Sequence, residues 1–173
     1  MNRHAHQVVQ HIPRLRRYAR ALLKDAERAE DLLQETLARA LGRLGLWRHG
    51  SDMRAWLFTI MHNQYVNECR RARKRPDALS LEADGVPEAR ATSRADQYAD
   101  LQDIAAGLML LPEDLRAVLL LVSLEGLTYR QTARVLGIKT GTVMSRLHRA
   151  RERMRVWCND RPQTRVARIR SVK

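Results

Sequence analysis

Residues 128–150 read TYRQTARVLGIKTGTVMSRLHRA, and this stretch decides the architecture of the C-terminal half. Thr128 followed three positions later by Gln131 has capping-box spacing, in which a threonine oxygen and a glutamine side chain satisfy each other's backbone N–H groups. Ala133, Gly137 and Val143 then fall in the pattern Ala-x3-Gly-x5-Val. Two helices crossing at a tight turn need that arrangement: a small residue at the crossing, a glycine with positive φ in the turn, and an apolar anchor on the second helix. Leu136, Ile138 and Leu147 add core positions. The stretch is predicted to be a helix-turn-helix, its second helix running from about Thr140 to Trp157. Thr142, Ser145, Arg146, His148 and Arg149 then point outward. Short polar and arginine side chains at a helix N-terminus suit base edges and phosphates in a major groove.

Working outward, Leu115 to Leu124 is almost wholly apolar and predicts a buried helix, with Pro112 in its first turn and Glu125-Gly126-Leu127 turning the chain after it. Leu101, Ile104, Leu108 and Leu111 share one face, so this module begins near Tyr98. Asp77 to Ala95 holds Pro, Gly, Ser and acids with no apolar period, and reads as a linker. In the N-terminal half, Ile12, Leu15, Ala19 and Leu22 predict a first helix starting after Pro13 or a little earlier. Asp25 caps a second helix with the stripe Ala29, Leu32, Leu33, Thr36, Leu37, Ala40, Leu41, Leu44. Gly42 and Gly45 weaken it, and Leu46 to Asp52 reads as a loop. Ser51 or Asp52 caps a third helix, which must end near Pro76. Trp56 could stack on an unpaired base, but at helical spacing with Ile60 it reads as core.

The fold expected is all-α: two small helical domains joined by an acidic flexible linker, the second containing the helix-turn-helix. The divisions are 1–76, a linker at 77–98, 99–160, and a basic tail at 161–173. Modules of this size bury a modest share of their surface and gain from docking on a partner.

Charge supports an anionic partner. The 173 residues carry a formal net charge of +13. The base is concentrated in two runs. From Arg54 to Pro76 six basic residues face only Glu68, and from Thr128 to Cys158 eight face only Glu152. Between them, Asp77 to Asp100 has six acids against Arg90 and Arg94. One basic run is commonly a solvated face; two on separate helices make a nucleic-acid footprint.

Other classes fit less well. No stretch approaches the roughly 20 apolar residues of a membrane span, no signal-peptide core opens the chain, and a cytoplasmic protein is expected. Cys69 and Cys158 do not make a disulfide framework. His4, His6 and His11 cluster, but their spacing fits no standard finger, so no metal or other cofactor is expected. An enzyme would need a carboxylate cluster, a phosphate loop or a nucleophile with its base. None is legible, and no catalytic residue is assigned.

A second set of motifs carries a resemblance. Ala29-Glu30-Asp31-Leu32-Leu33-Gln34-Glu35-Thr36, then Arg54-Ala55-Trp56-Leu57-Phe58-Thr59-Ile60 with Asn63, then Arg70 to Arg75, resembles domain two of a bacterial RNA polymerase sigma factor. Glu125-Gly126-Leu127-Thr128-Tyr129 with Gly141 to Arg151 resembles domain four. Two motif sets in this order, with no room for other domains, are similar to the extracytoplasmic-function (ECF) group.

The resemblance implies a transcription initiation factor. It would bind core polymerase through the β′ coiled coil and the β subunit, direct it to promoter DNA and open the minus-ten region. It places Asp31, Gln34 and Glu35 on the β′-docking face. Asn63 falls at a position that holds a flipped minus-ten base, and Trp47 to Asp52 correspond to the minus-ten specificity loop. Arg70, Arg71 and Arg73 would sit on nearby phosphates. Ser145, His148 and Arg149 would meet the minus-thirty-five element, with Arg146 and Arg151 on phosphate; Met144 departs from the basic residue of some relatives. The linker would thread the polymerase's RNA channels, and an anti-sigma factor is an expected partner. The alternative is a helix-turn-helix activator that is not a polymerase subunit.

Overall fold

Helices begin where the sequence supplies caps. The computed structural model describes residues 3–47, 50–73 and 95–159. Among these, seven α-helices run in order: α1 (Arg3–Leu22), α2 (Ala26–Gly42), α3 (Met53–Arg73), α4 (Ala95–Leu110), α5 (Glu113–Leu119), α6 (Tyr129–Leu136) and α7 (Thr140–Asn159). A 3-10 turn covers Leu44–Leu46 and a π-helical turn covers Leu120–Leu124. The Asp25 carboxylate accepts from the backbone of Glu27 and Arg28 at 2.8 and 3.1 Å, opening α2. Asp52 does the same for α3 through Ala55. Both halves of the Thr128–Gln131 capping box are present, and Gly137 has φ +64° in the turn before α7.

The start of α1 differs from the sequence reading. Pro13 lies inside the helix rather than at its beginning. Proline removes one backbone bond and crowds the carbonyl four residues back. Here Pro13 and Val9 both face solvent, where water can serve the freed carbonyl, and the buried Val8 holds the preceding turns in the core. The long buried helix expected over Leu115 to Leu124 also divides, into α5 and the π turn. Pro112 stands at the N-cap of α5, one residue outside the helix. Of the acidic linker expected at 77–98, residues 77–94 lie outside the described residues, as does the basic tail; residues 95–98 are instead the first turn of α4, which continues the apolar face of Ile104 and Leu108 toward its N-terminus.

α1, α2 and α3 form the N-terminal module around Leu15, Tyr18, Leu32, Leu33, Leu57, Phe58 and Met61, with the Tyr18 and Phe58 rings edge to face at 5.2 Å. In the C-terminal module Val118, Ala133, Val143 and Leu147 pack the helix-turn-helix, which confirms the spacing argument. Leu111, Leu115 and Ala150 pack α5 on α7. Ala117, Leu120, Leu121, Leu127 and Val135 instead join the core of the N-terminal module. Each fully buried leucine contributes about 1.5–3 kcal/mol. The two modules therefore close over a common apolar seam.

A ring of polar contacts fixes that seam. The guanidinium of Arg17 on α1 donates to Glu125 Oε1 at 3.1 and 2.9 Å and to the Leu124 carbonyl at 3.2 Å. Arg54 on α3 reaches the Glu125 carbonyl at 3.2 Å, and Arg116 on α5 reaches the Leu22 carbonyl at 2.8 Å. Gln131 donates to Asp52 across the same boundary. The Glu125 side chain is fully buried. Burial raises its carboxyl above the usual range, and the Arg17 hydrogen bond works against that rise. The π turn aims it inward: Glu125 N–H bonds Leu120 and Leu127 N–H bonds Leu121, each at 3.0 Å.

Close backbone approach positions α4 on α7. The Trp157 indole donates to the Asp103 carbonyl at 3.2 Å and lies against Gly107, where a Cβ would come within 2.5 Å of the ring. Gly107→Ala is expected to lift α4 from α7, at about 1–3 kcal/mol for overpacking, with a red-shifted tryptophan emission and a lower Tm. Gly141→Ala, whose added Cβ meets nothing within 4 Å, is the control; an equal loss of Tm in both would refute the packing account.

Candidate nucleic-acid interface

The helix-turn-helix presents its polar face because its apolar residues are anchored beneath. Val143, Leu147 and Ala150 are buried, so Ser145, His148, Arg149 and Arg151 are turned to solvent along α7. Thr142 is half-buried, and its carbonyl accepts from the Ser145 hydroxyl at 3.1 Å. Met144 is exposed beside them. Arg146 stands apart from this set: it is half-buried and its Nε pairs with Asp114 of α5 at 3.2 Å. The face therefore carries two free-standing arginines, a histidine and short hydroxyls, a composition suited to groove and backbone contacts.

On the N-terminal module, Asn63, Asn67 and Arg70 recur at i, i+4 and i+7 along α3 and are exposed. Arg39 on the last turn of α2 and Arg43, which caps that helix, face them across an open groove of about 450 Å³ that Leu136 of α6 borders from the other module. Arg71 is exposed on the same helix, and Arg73 is its final residue. The groove thus brings two amides and three guanidinium groups together. Amides donate and accept along base edges, and guanidinium groups take phosphate. Sequence reasoning identified Asn63 and Arg70 but missed Asn67, Arg39 and Arg43; the four-residue repeat from Asn63 was the available signal.

The remaining predicted positions divide between surface and core. Asp31, Gln34 and Glu35 are exposed on α2. The Arg39 hydrogen bond to Glu35, at 2.6 Å, holds that carboxyl below its usual range. Beneath this face, Thr36 is fully buried with its hydroxyl 2.7 Å from both the Leu32 carbonyl and Gln64 Oε1, tying α2 to α3 beside Asn63. Trp47, at the start of the proposed specificity loop, is buried with its ring 5.2 Å from His4. Trp56 is half-buried against the core, as expected from its spacing. Arg54, counted above in the basic run, is taken up by the seam.

No group of three or more metal-ligating side chains occurs among the described residues, and no described helix is long and apolar enough to cross a membrane.

Comparison with known proteins follows the same division. Residues 8–62 match the model for the Sigma2 domain of PhyR, and residues 101–154 match Sigma-70, region 4. The ECF RNA polymerase sigma factor EcfG of Rhodopseudomonas palustris is 38% identical over 145 residues, covering 83% of this chain and 78% of that protein. SigL of Mycobacterium tuberculosis, another ECF sigma factor, is 38% identical over 154 residues, covering 85% and 84%. The sigma factor RpoE of Bartonella quintana, solved in complex with the anti-sigma factor NepR, superposes with a TM-score of 0.77 at 32% identity, covering 90% of this chain and 97% of that one. With both sigma domain models matched in this order and relatives 38% identical over most of their length, the chain belongs to the ECF RNA polymerase sigma factors.

Proposed function

We propose that this chain is a cytoplasmic, non-enzymatic subunit that recruits core RNA polymerase to promoters and opens them. The observation that carries the reading is the pairing of two nucleic-acid surfaces of different kinds in one chain. The α7 face suits duplex DNA in a major groove. The α2–α3 groove, with Asn63 at its edge, suits an unpaired strand, where extruding a base costs a few kcal/mol that amide contacts offset. The exposed acidic and amide-bearing face of α2 suits a basic helix on the polymerase, the β′ coiled coil, with a second contact from the C-terminal module to the β subunit.

The closed seam bears on this mechanism. Elements at minus ten and minus thirty-five lie about 25 base pairs apart, or about 85 Å at 3.4 Å per step. α3 and α6 are packed in direct contact, and a helix as long as α3 spans only about 30 Å. The modules must separate to read both elements, and tethering to polymerase supplies the effective concentration that each weak contact lacks. RpoE of Bartonella quintana is bound to an anti-sigma factor in its solved form, and an anti-sigma partner for this chain is part of the proposal.

The first test is transcription by purified core polymerase, with and without the protein, on a genomic promoter library. Discrete protein-dependent start sites are expected. No initiation, with sequence-specific DNA binding by the protein alone, would instead make it a helix-turn-helix activator.

Three substitutions assign roles. Asn63→Ala should impair transcription from duplex promoters and recover on a pre-melted template, with core affinity unchanged; equal loss on both templates removes Asn63 from strand opening. Arg149→Ala should cost about 1–3 kcal/mol of promoter affinity, confined to one position of the minus-thirty-five element, if the contact is bidentate to a base. A uniform loss over all sequences would make it a phosphate contact. Glu35→Arg should weaken core binding measured by fluorescence anisotropy, and unchanged affinity would take Glu35 off the docking face.

A further inference from the structure

One titratable group lies where the α2–α3 groove meets the seam. His62, half-buried on α3, lines both that groove and a cavity of about 370 Å³ between the modules. Its Nδ1 is buried with no hydrogen-bond partner among the described residues. Two surroundings disfavour a charged imidazole there. Burial comes first, and the Arg146 guanidinium of α7 comes second; together they push the pKa down to about 4. The other charged groups facing His62 do not reverse this. Arg70 of α3, Arg39 of α2 and Arg43, which caps that helix, are cationic. Glu113 and Asp114 of α5 oppose them, but Asp114 is engaged by Arg146. Tyr65 and Cys69 are the remaining titratable groups lining the cavity, and burial raises the Tyr65 hydroxyl.

We propose that the seam is an acid-sensitive latch in which protonation of His62 drives the two modules apart. Separation withdraws α5, α6 and α7, and with them Ala117, Leu136 and Arg146, so the imidazole returns to water. The sign follows from proton linkage. The closed form holds the proton less tightly than the open form, so closure is fully favoured above the ordinary histidine value of 6.5 and is lost as pH falls from there toward about 4. Between about pH 7.5 and about pH 5.5 the ratio of open to closed chains rises about tenfold. His11 is lowered in the same direction, by burial, then Arg14 and Arg54, with Asp52 opposing; these three charged groups lie on the N-terminal module, and a His62→Gln chain retains them as its background. Glu125 acts in the opposite sense, because its carboxyl is raised in the closed state. The test therefore compares His62 variants rather than acid opening alone. The inference is independent of what the separated modules bind.

The experiment is single-molecule energy transfer on the full chain, with dyes at position 27 after Glu27→Cys and at the exposed Cys158, in a Cys69→Ser background. A low-transfer population should grow about tenfold relative to the closed one over the pH range above. His62→Gln, which fills the same space without titrating, should change less than twofold, on the order of the unlinked background. A parent chain with no low-transfer population at the acid end, or a His62→Gln chain that opens as steeply as the parent, overturns the proposal. Proton NMR supplies the second measurement: a His62 that titrates near the ordinary histidine value in the closed chain also overturns it.

Discussion

The buried carboxylate of Glu125 is the constraint on which the arrangement of the two modules depends. A carboxylate out of water is tolerated only with a cation and hydrogen bonds aimed at it. Arg17 comes from the first helix of the chain and meets it across 108 positions of sequence. Arg54 fixes the backbone beside it. Those two arginines set where α1 and α3 lie against the π turn, and hence where α6 rests on α3. The placement of Leu136 at the edge of the α2–α3 groove and of Arg146 beside His62 follows from that docking.

The same constraint changes the meaning of the net charge. Four arginines, Arg17, Arg54, Arg116 and Arg146, are held by protein acceptors at or near the seam. They are not available to DNA while the chain is closed. Arg149 and Arg151 of α7 and Arg70 of the α2–α3 groove are exposed and turned to solvent, while Arg39 and Arg155 pair with Glu35 and Glu152 on their own helices. The charge of this protein is therefore divided between arginines that hold the seam and arginines that face solvent.

What could be read from the sequence was local. Thr128 with Gln131, Ala133 with Gly137 and Val143, and Asp25 before an apolar stripe each specify a cap or a turn within a few residues, and each took the expected form. Pro13 misled because propensity is local while the burial of Val8 and Leu15 is tertiary, and the core outweighed one lost hydrogen bond. The seam was invisible for a related reason. Arg17, Asp52 and Arg116 have no neighbours in sequence that mark them as partners of Glu125, Gln131 or Leu22. At the candidate interface, Asn63, Ser145 and Arg149 were legible because motif residues point outward from predictable helices. Arg39 and Arg43 were not, because the groove they form exists only once α2 packs on α3.

The π turn at Leu120–Leu124 gives the chain a dependence on length rather than on chemistry. A π turn holds one residue more than an α-helical turn, and that residue swings the following backbone by about 100°. Loss of one residue between Leu121 and Leu124 would let the segment relax into plain α-helix and rotate Glu125 away from Arg17. The exposed faces of α2 and α7 and the leucines of α1, α2 and α3 would keep their places in the sequence of their own helices. Chains with and without this extra residue would then differ in how firmly the seam closes. Insertion and deletion, more than substitution, are the kinds of change to which closure of this fold is exposed.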